Sequence, residues 1–437
     1  MFKKENSMEI EFVNHSSFIV KHKNIRILCD PWLEGRIFNN GWDLLSKTKF
    51  SYDDFKEIQY IWFSHEHPDH FYPPNLKKIP AEYKKNITVL FQETIDGRVA
   101  NYCRNNGFKE VVELKKDQWF ELADDFKVIC EYFNEGDSWI AYKADGKTLL
   151  NTNDCGIRNL SEAEYIHNKV GKVDILLTQF SYAYWAGNKD DKPYREKIAK
   201  DKLGFMKLQV DAFQPKITIP IASYVYFCHD ENFYLNDSVN TAEITYRFLK
   251  ENTSTEPVVL YNGDNYRIFQ EWDSTNSINA YKNDFRLIEE NQSILEKNQP
   301  FEISELSLLA NKFIQNLNET NPKWIKFILK PTFIYLYDHN KSFELSLQGW
   351  KENEIDSDKC DVLLSSESLA FCFKFPYGLD TTQISGRIQK PNQGVYVKFY
   401  NFFRIDQQKS RGQDLTLDYV FGAIFRKIKV KLGLMKA

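Results

Sequence analysis

The run Ser64-His65-Glu66-His67-Pro68-Asp69-His70 decides how this chain is read. Three of the chain's eight histidines and one aspartate fall within six residues, directly after the apolar run Tyr60-Ile61-Trp62-Phe63. Ligands spaced in this way suit a turn at a strand end, where alternate side chains converge on one point. The pattern H-x-H-x-D-H serves two neighbouring ions, His65 and His67 holding the first, Asp69 and His70 the second. Imidazole suits Zn, Fe and Cu, and mixed nitrogen and oxygen ligation leaves positions open for water or substrate.

A two-metal site also needs a bridging carboxylate. Asp154 is the candidate: it follows an apolar strand expected over 148–151 and precedes Cys155-Gly156, at a sharp turn leaving a sheet. His229 follows a strand expected over 217–221 and the run Tyr224-Val225-Tyr226-Phe227-Cys228, and is taken as the final imidazole. The expected metal ligands are therefore His65, His67, Asp69, His70, Asp154 and His229, with Asp69 and Asp154 also serving in catalysis. Asp30, at another strand end beside Pro31-Trp32, is expected to orient a ligand by hydrogen bonding. His15, His22, His167 and His339 read as structural or exposed, His15 being the best placed of them to approach the site.

Composition narrows the class. The 437 residues carry a net charge of -4, which argues against a general nucleic-acid binder. No run of eighteen apolar residues suggests a membrane span. The opening Met1-Phe2-Lys3-Lys4-Glu5-Asn6 lacks the apolar core of a signal peptide, so a cytoplasmic location is expected. The seven cysteines are scattered, several inside apolar runs, as buried free thiols in a reducing compartment would be. There is no C-x-x-C, and no C-x-H paired with C-x-x-H, so no zinc finger or Rieske cluster is expected from these residues.

The first part of the chain reads as short strands at 9–13, 17–20, 26–28, 60–63, 87–91, 111–114, 126–132, 139–143 and 148–151. Helices are expected over 94–106, over 161–169 with Ser161 as cap, over 194–213 and over 237–250, with strands at 173–180 and 217–221. Polar stretches at 253–257 and 273–277 read as loops, and a domain boundary is placed near residue 290. The domains are then 1–290, carrying the metal site, and 291–437, a small α+β module with a helix over 304–317 and strands at 333–337, 342–347, 362–364 and 395–401. In the tail, 420–436, apolar residues at helical spacing accompany Arg426, Lys427, Lys429 and Lys431. This basic amphipathic helix is expected to pack on its domain, contact with an anionic membrane surface being the alternative.

His65, His67, Asp69, His70 and Asp154, placed after short strands, resemble the metallo-β-lactamase superfamily over roughly residues 8–270. The resemblance implies an α/β fold, an αββα sandwich with the metals at one sheet edge, followed here by the smaller α+β domain. The opening Met8-Glu9-Ile10-Glu11-Phe12-Val13-Asn14-His15-Ser16-Ser17 with Asp30-Pro31-Trp32 is similar to the branch of ascorbate-phosphate lactonases and N-acylphosphatidylethanolamine phospholipase D. The CMP-N-acetylneuraminate hydroxylase family is a closer match. It is carried by Ser64–His70 with Tyr72-Pro73-Pro74-Asn75-Leu76-Lys77-Lys78, by Leu150-Asn151-Thr152-Asn153-Asp154-Cys155, and by Gln214-Pro215-Lys216 leading to Pro220-Ile221-Ala222-Ser223-Tyr224 with His229 in register. Two departures stand out. That family carries a Rieske domain, absent from this sequence. The superfamily also supplies a third histidine to the first metal, and here the segment Glu131-Tyr132-Phe133-Asn134-Glu135-Gly136-Asp137-Ser138 has none; Asn134, Glu131, Glu135 or water is expected to replace it. The stretch Cys360–Leu369 with Ile384-Ser385-Gly386-Arg387 faintly resembles sterol-carrier-type modules.

Two chemistries follow from the resemblance. In the first, two divalent metal ions, Fe favoured over Zn or Mn, activate oxygen to hydroxylate a small, phosphorylated or nucleotide-linked or amino-sugar-like substrate, and a separate protein donates electrons. In the second, the metals lower the pKa of a bound water and polarise an ester, lactone or phosphodiester. The missing histidine and the closer family tilt the balance to the first. The run 179–185 leaves a buried strand and places aromatics at the pocket or in the core. Lys189, Lys192 and Arg195, with no phosphate-cradling glycine pattern, read as a solvated charged segment rather than a phosphate site.

Overall fold

The computed structural model describes residues 8–133, 136–410 and 412. The chain forms two compact units: Met1–Ala186 with Asp191–His229 and Phe233–Glu296, and Gly187–Asp190 with Asp230–Asn232 and Lys297–Ala437.

The first unit holds two seven-stranded sheets. One runs, edge to edge, Asn265–Arg267, Glu9–Asn14, Ser17–His22, Ile25–Cys29, Tyr60–Phe63, Thr88–Gln92 and Glu110–Leu114. Its last four strands are parallel, which requires cover on both faces. The alternation along Tyr60–Phe63 meets that requirement. Trp62 enters the core shared with the other sheet, while Ile61 and Phe63 enter a separate core with Leu76, Val99 and Cys103 of the outer helices. The second sheet runs Glu256–Pro257, Ile217–Ile221, Ile175–Gln179, Lys147–Asn153, Ser138–Ala144, Phe126–Tyr132 and Phe120–Ala123. Helices Leu160–Val170, Lys192–Phe213 and Ala242–Asn252 pack into its core through Ile166, Met206, Val210 and Leu249. Two facing sheets with helices outside are the expected αββα sandwich.

Several boundaries differ from expectation for local reasons. Asn159, not Ser161, caps the helix Leu160–Val170; its Oδ1 accepts from Glu162 N at 3.1 Å, and Ser161 hydrogen-bonds Asn159 instead. The polar stretch 273–277 is the start of a helix, Thr275–Glu290, and the first unit runs on to Glu296. All seven cysteines are free and buried. No helix among the described residues is long and apolar enough to cross a membrane.

The second unit has a four-stranded sheet ordered Gly349–Asn353, Lys341–Ser346, Thr332–Leu336, Val362–Leu364. Helix Ile303–Thr320 buries Leu306, Ala310, Phe313, Ile314 and Leu317, one stripe of a 3.6-residue period. The expected strand 395–401 is instead the first half of helix Tyr396–Ser410, whose Phe399, Phe402 and Phe403 are buried on one face. The expected helix at 420–436 lies outside the described residues.

Arg387 is fully buried in this unit, donating from Nε to Glu231 and from Nη2 to Glu367, both at 2.6 Å. Arg387→Ala leaves two acids without this counter-charge and is expected to cost about 3–5 kcal/mol, read as a lower denaturation midpoint with an unchanged metal content.

Candidate metal centre

The site lies where strands of both sheets end. Ile25–Cys29 delivers Asp30, Tyr60–Phe63 delivers Ser64–His70, Lys147–Asn153 delivers Asp154, and Ile175–Gln179 ends at Gln179. The hairpin between Glu9–Asn14 and Ser17–His22 adds His15. The backbone is held tightly there: His15, Asp30 and Asn153 all have positive φ, at 44°, 40° and 46°. Each such non-glycine residue costs about 1–2 kcal/mol, and strain of this kind gathers at functional sites.

Asp30 organises the floor. Its Oδ1 accepts from Ser64 N at 2.7 Å, and its Oδ2 accepts from Ser64 Oγ at 2.8 Å and Asn153 Nδ2 at 2.7 Å. His70 Nδ1 lies 2.9 Å from the same Oδ2 and donates to it, so His70 Nε2 is the nitrogen that would face a metal ion. Ser64 Oγ, donating to Asp30, accepts from His65 Nδ1 at 2.9 Å, which leaves His65 Nε2 as the free nitrogen too. Asp30 thus performs the orienting role expected of it.

The free atoms converge. His70 Nε2 is 3.1 Å from Asp69 Oδ2 and 3.2 Å from Asp154 Oδ2. His65 Nε2 is 2.9 Å from His67 Nδ1 and 3.6 Å from Asp137 Oδ1. His15 Nε2 is 3.4 Å from Asp69 Oδ2. Three groups result, each with ligand atoms within 4.8 Å of one another: His65, His67 and Asp137; His65, His70 and Asp154; His15, Asp69 and His70. Carboxylates and imidazoles this close are stable only with positive charge among them, which a protonated His70 supplies in the metal-free protein and bound cations would supply in its place. Asp69 Oδ1 is moreover buried with no hydrogen-bond partner among the described residues. These residues fit a pair of metal ions.

The electrostatics point the same way. Burial, then the charge of His70, holds His65 down to about 4, so it stays a neutral ligand. Burial, then His65, likewise lowers His67. Burial, then Asp154, pushes Asp137 up to about 7. Burial opposes ionisation of Asp69 and Asp154, but His70 outweighs it and both lie below the usual carboxylate range. Burial opposes the charge on His70, but Asp69, Asp154 and Asp30 outweigh it and raise it well above an ordinary imidazole.

Five of the six expected ligands, His65, His67, Asp69, His70 and Asp154, are brought together; His229 is not. It enters no group of three ligand atoms among the described residues. After Ile217–Ile221 the chain turns at Ala222, φ 53°, and the following strand, Val225–Phe227, pairs with Trp42–Leu44 in a separate two-stranded sheet. His229 therefore does not leave a strand end of either large sheet.

A family description, the beta-lactamase superfamily domain, matches residues 9–193. The chain is 25% identical over 219 residues to a putative Rieske 2Fe-2S iron-sulfur protein of Mycolicibacterium smegmatis, covering 46% of this chain and 39% of that one. It is 23% identical over 245 residues to the cytidine monophosphate-N-acetylneuraminic acid hydroxylase of Danio rerio, covering 52% and 40%. The chain thus spans about two fifths of the length of these curated relatives. CmlA, a diiron β-hydroxylase of Streptomyces venezuelae, is 15% identical with a TM-score of 0.43, over 61% of this chain and 55% of that one.

Within residues 9–193, two residues of the centre were not among the expected ligands. Asp137 stands beside His65 and His67 where a third imidazole was missing. Glu131, one of the residues considered for that place, instead accepts from Asp117 N at 3.0 Å and Tyr165 Oη at 2.8 Å; Asn134 and Glu135 lie outside the described residues. The signal for Asp137 was its place between Gly136 and Ser138, at a turn entering a strand. His15, read as structural or exposed but as the isolated histidine best placed to approach the site, is the other. A further group, His22 with Asp125 and Asp145, lies at the opposite ends of the strands and has exposed carboxylates. Arg195, expected in a solvated segment, is buried and paired with Asp237 at 2.7 Å.

Proposed function

We propose that this chain is a metal-dependent oxygenase that hydroxylates a small molecule at a two-iron centre. The observation that carries the reading is the donor set: four imidazoles, His15, His65, His67 and His70, with three carboxylates, Asp69, Asp137 and Asp154, and no thiolate. A carboxylate in place of a third imidazole makes the first position harder and more anionic, which favours iron or manganese over zinc. The named relatives, one a hydroxylase and one an iron–sulfur protein, support the same choice.

The centre, when filled, supplies the activation of dioxygen. The chain's own residues do the rest. Asp30 and Ser64 fix the ring planes of His70 and His65. Asp154, grouped with His65 and His70, would serve as the bridging carboxylate, and Gln179 Nε2 steadies it from 3.1 Å. The reaction consumes dioxygen, two electrons and two protons, and yields hydroxylated product and water. The electrons come from a donor outside these 437 residues, which show no cysteine and histidine pattern for a cluster.

The reading is tested by reducing iron-loaded protein chemically without oxygen and then adding a known amount of dioxygen. Uptake of about one dioxygen per two irons is expected. Zinc at full occupancy, with no oxygen uptake, would replace the oxidative reading with a hydrolytic one.

The ligand set makes a second, sharper forecast. His15→Ala is expected to lower metal occupancy at least about tenfold at limiting metal, whereas His229→Ala keeps wild-type occupancy. Elemental analysis of the two proteins side by side checks this, and the opposite ranking would return His229 to the site.

A further inference from the structure

Beside the centre lies a cavity of about 200 Å³ whose wall includes Lys202, Arg158, Gln179, Cys155, Tyr184 and Phe205. Lys202 comes from helix Lys192–Phe213, and its Nζ donates to Gln179 Oε1 at 2.5 Å. The other end of that amide donates to Asp154, so a single side chain separates the ammonium from the metal centre. Lys202 also sits over the Tyr184 ring, 5.6 Å from its centroid. An ammonium has three donors, and among the described residues one of them is engaged, by Gln179.

Neither Lys202 nor Arg158 forms an ion pair within 4.0 Å among the described residues. Asp201, also in the wall, pairs with Lys197 at 3.5 Å. Burial lowers Lys202 to about 8, with Asp154 opposing and Arg158 adding to the effect, so it remains largely charged at neutral pH. Cations in the centre would neutralise Asp154 and Asp137, and the half-buried Lys202 would then have no ion-pair partner within reach among the described residues, while Arg158, exposed at the cavity rim, stays open to a ligand. A partly buried, unpaired cation is costly, and an anionic ligand removes that cost.

We infer that this cavity holds an anionic group of the substrate, a carboxylate or a phosphate, between Lys202 and Arg158, and so positions the reacting carbon at the metal centre. The inference rests on the proposed metal centre and extends it to a substrate class. It also explains why the helix bearing Lys202 faces the end of strand Ile175–Gln179 with a cation where an apolar side chain would pack at lower cost.

The test is calorimetric titration of inorganic phosphate and of malonate into metal-loaded full-length protein as wild type, Lys202→Gln and Arg158→Gln. Metal content is measured on the same samples. Metal content is expected to be equal in all three, and the preferred anion to bind each variant at least about tenfold more weakly. Tighter phosphate assigns a phosphoryl substrate and tighter malonate a carboxylate substrate; both support the inference if both variants weaken binding. Equal affinities at equal metal content, or no binding of either anion to the wild type, overturn it. Wild-type protein that takes up no metal, yet binds an anion only when Lys202 is present, supports the anion site and removes the metal reading.

Discussion

His65→Ala is expected to purify with metal occupancy at least about tenfold below wild type under limiting metal, and with no detectable oxygen uptake. His65 belongs to two of the three ligand groups, so its loss weakens both metal positions. Its ring is also the contact between the other imidazoles, with centroids 4.2 Å from His70 and 4.6 Å from His67. Removing it leaves Asp137 and Asp154 buried with less cation to neutralise them. The fold should survive, because His65 lies in a loop beyond the strand Tyr60–Phe63 and contributes nothing to the apolar cores. Far-ultraviolet circular dichroism and elemental analysis on one sample separate the two effects. Wild-type occupancy in a folded His65→Ala protein would remove this residue from the centre.

Asp30→Asn changes one oxygen for an NH₂ group, yet its effect should be large. Four donors meet the Asp30 carboxylate: Ser64 N, Ser64 Oγ, Asn153 Nδ2 and His70 Nδ1. An amide offers one oxygen to them and turns two hydrogens toward the remainder, all within a fully buried pocket. Unsatisfied buried donors cost about 1–3 kcal/mol each, so a loss of about 3–5 kcal/mol is expected. For a unit of this size that lowers the melting temperature by roughly 10 °C. Metal affinity should fall about 10- to 100-fold as well, because His70 and, through Ser64, His65 lose their fixed tautomers. A thermal melt of the metal-free protein isolates the stability effect, and a competition titration with a chelator isolates the affinity. Unchanged values in both would mean that Asp30 neither supports the floor nor orients the ligands.

What was legible beforehand had local causes. The apolar strand Tyr60–Phe63 and the His/Asp run after it are contiguous, so period and chemistry could be read together. Asp30, at the end of the adjacent strand, was placed by the same logic. Helix Lys192–Phe213 followed from its apolar spacing. What was missed depended on partners far along the chain. Val395–Asn401 is rich in residues that favour strands, but burial of Phe399, Phe402 and Phe403 on one face decides for helix. Ser274 and Thr275 read as loop because capping residues and turn residues are the same types. His229 and His15 look alike as single histidines; only the pairing of Val225–Phe227 with Trp42–Leu44, and the hairpin that turns at His15, send one away from the strand ends and the other to them. Asp137 was overlooked although carboxylates were considered there: Glu131 and Glu135 of the same segment were named, and which acid the turn brings beside His65 and His67 is not visible in the sequence.

The measurement that bears most directly on the account is metal identity and stoichiometry. The full chain would be expressed in iron-supplemented, low-zinc medium, purified without oxygen, and submitted to elemental analysis and Mössbauer spectroscopy. About two irons per chain with the spectrum of a coupled pair is the expected result. Protein that is folded and retains no metal under those conditions would contradict it.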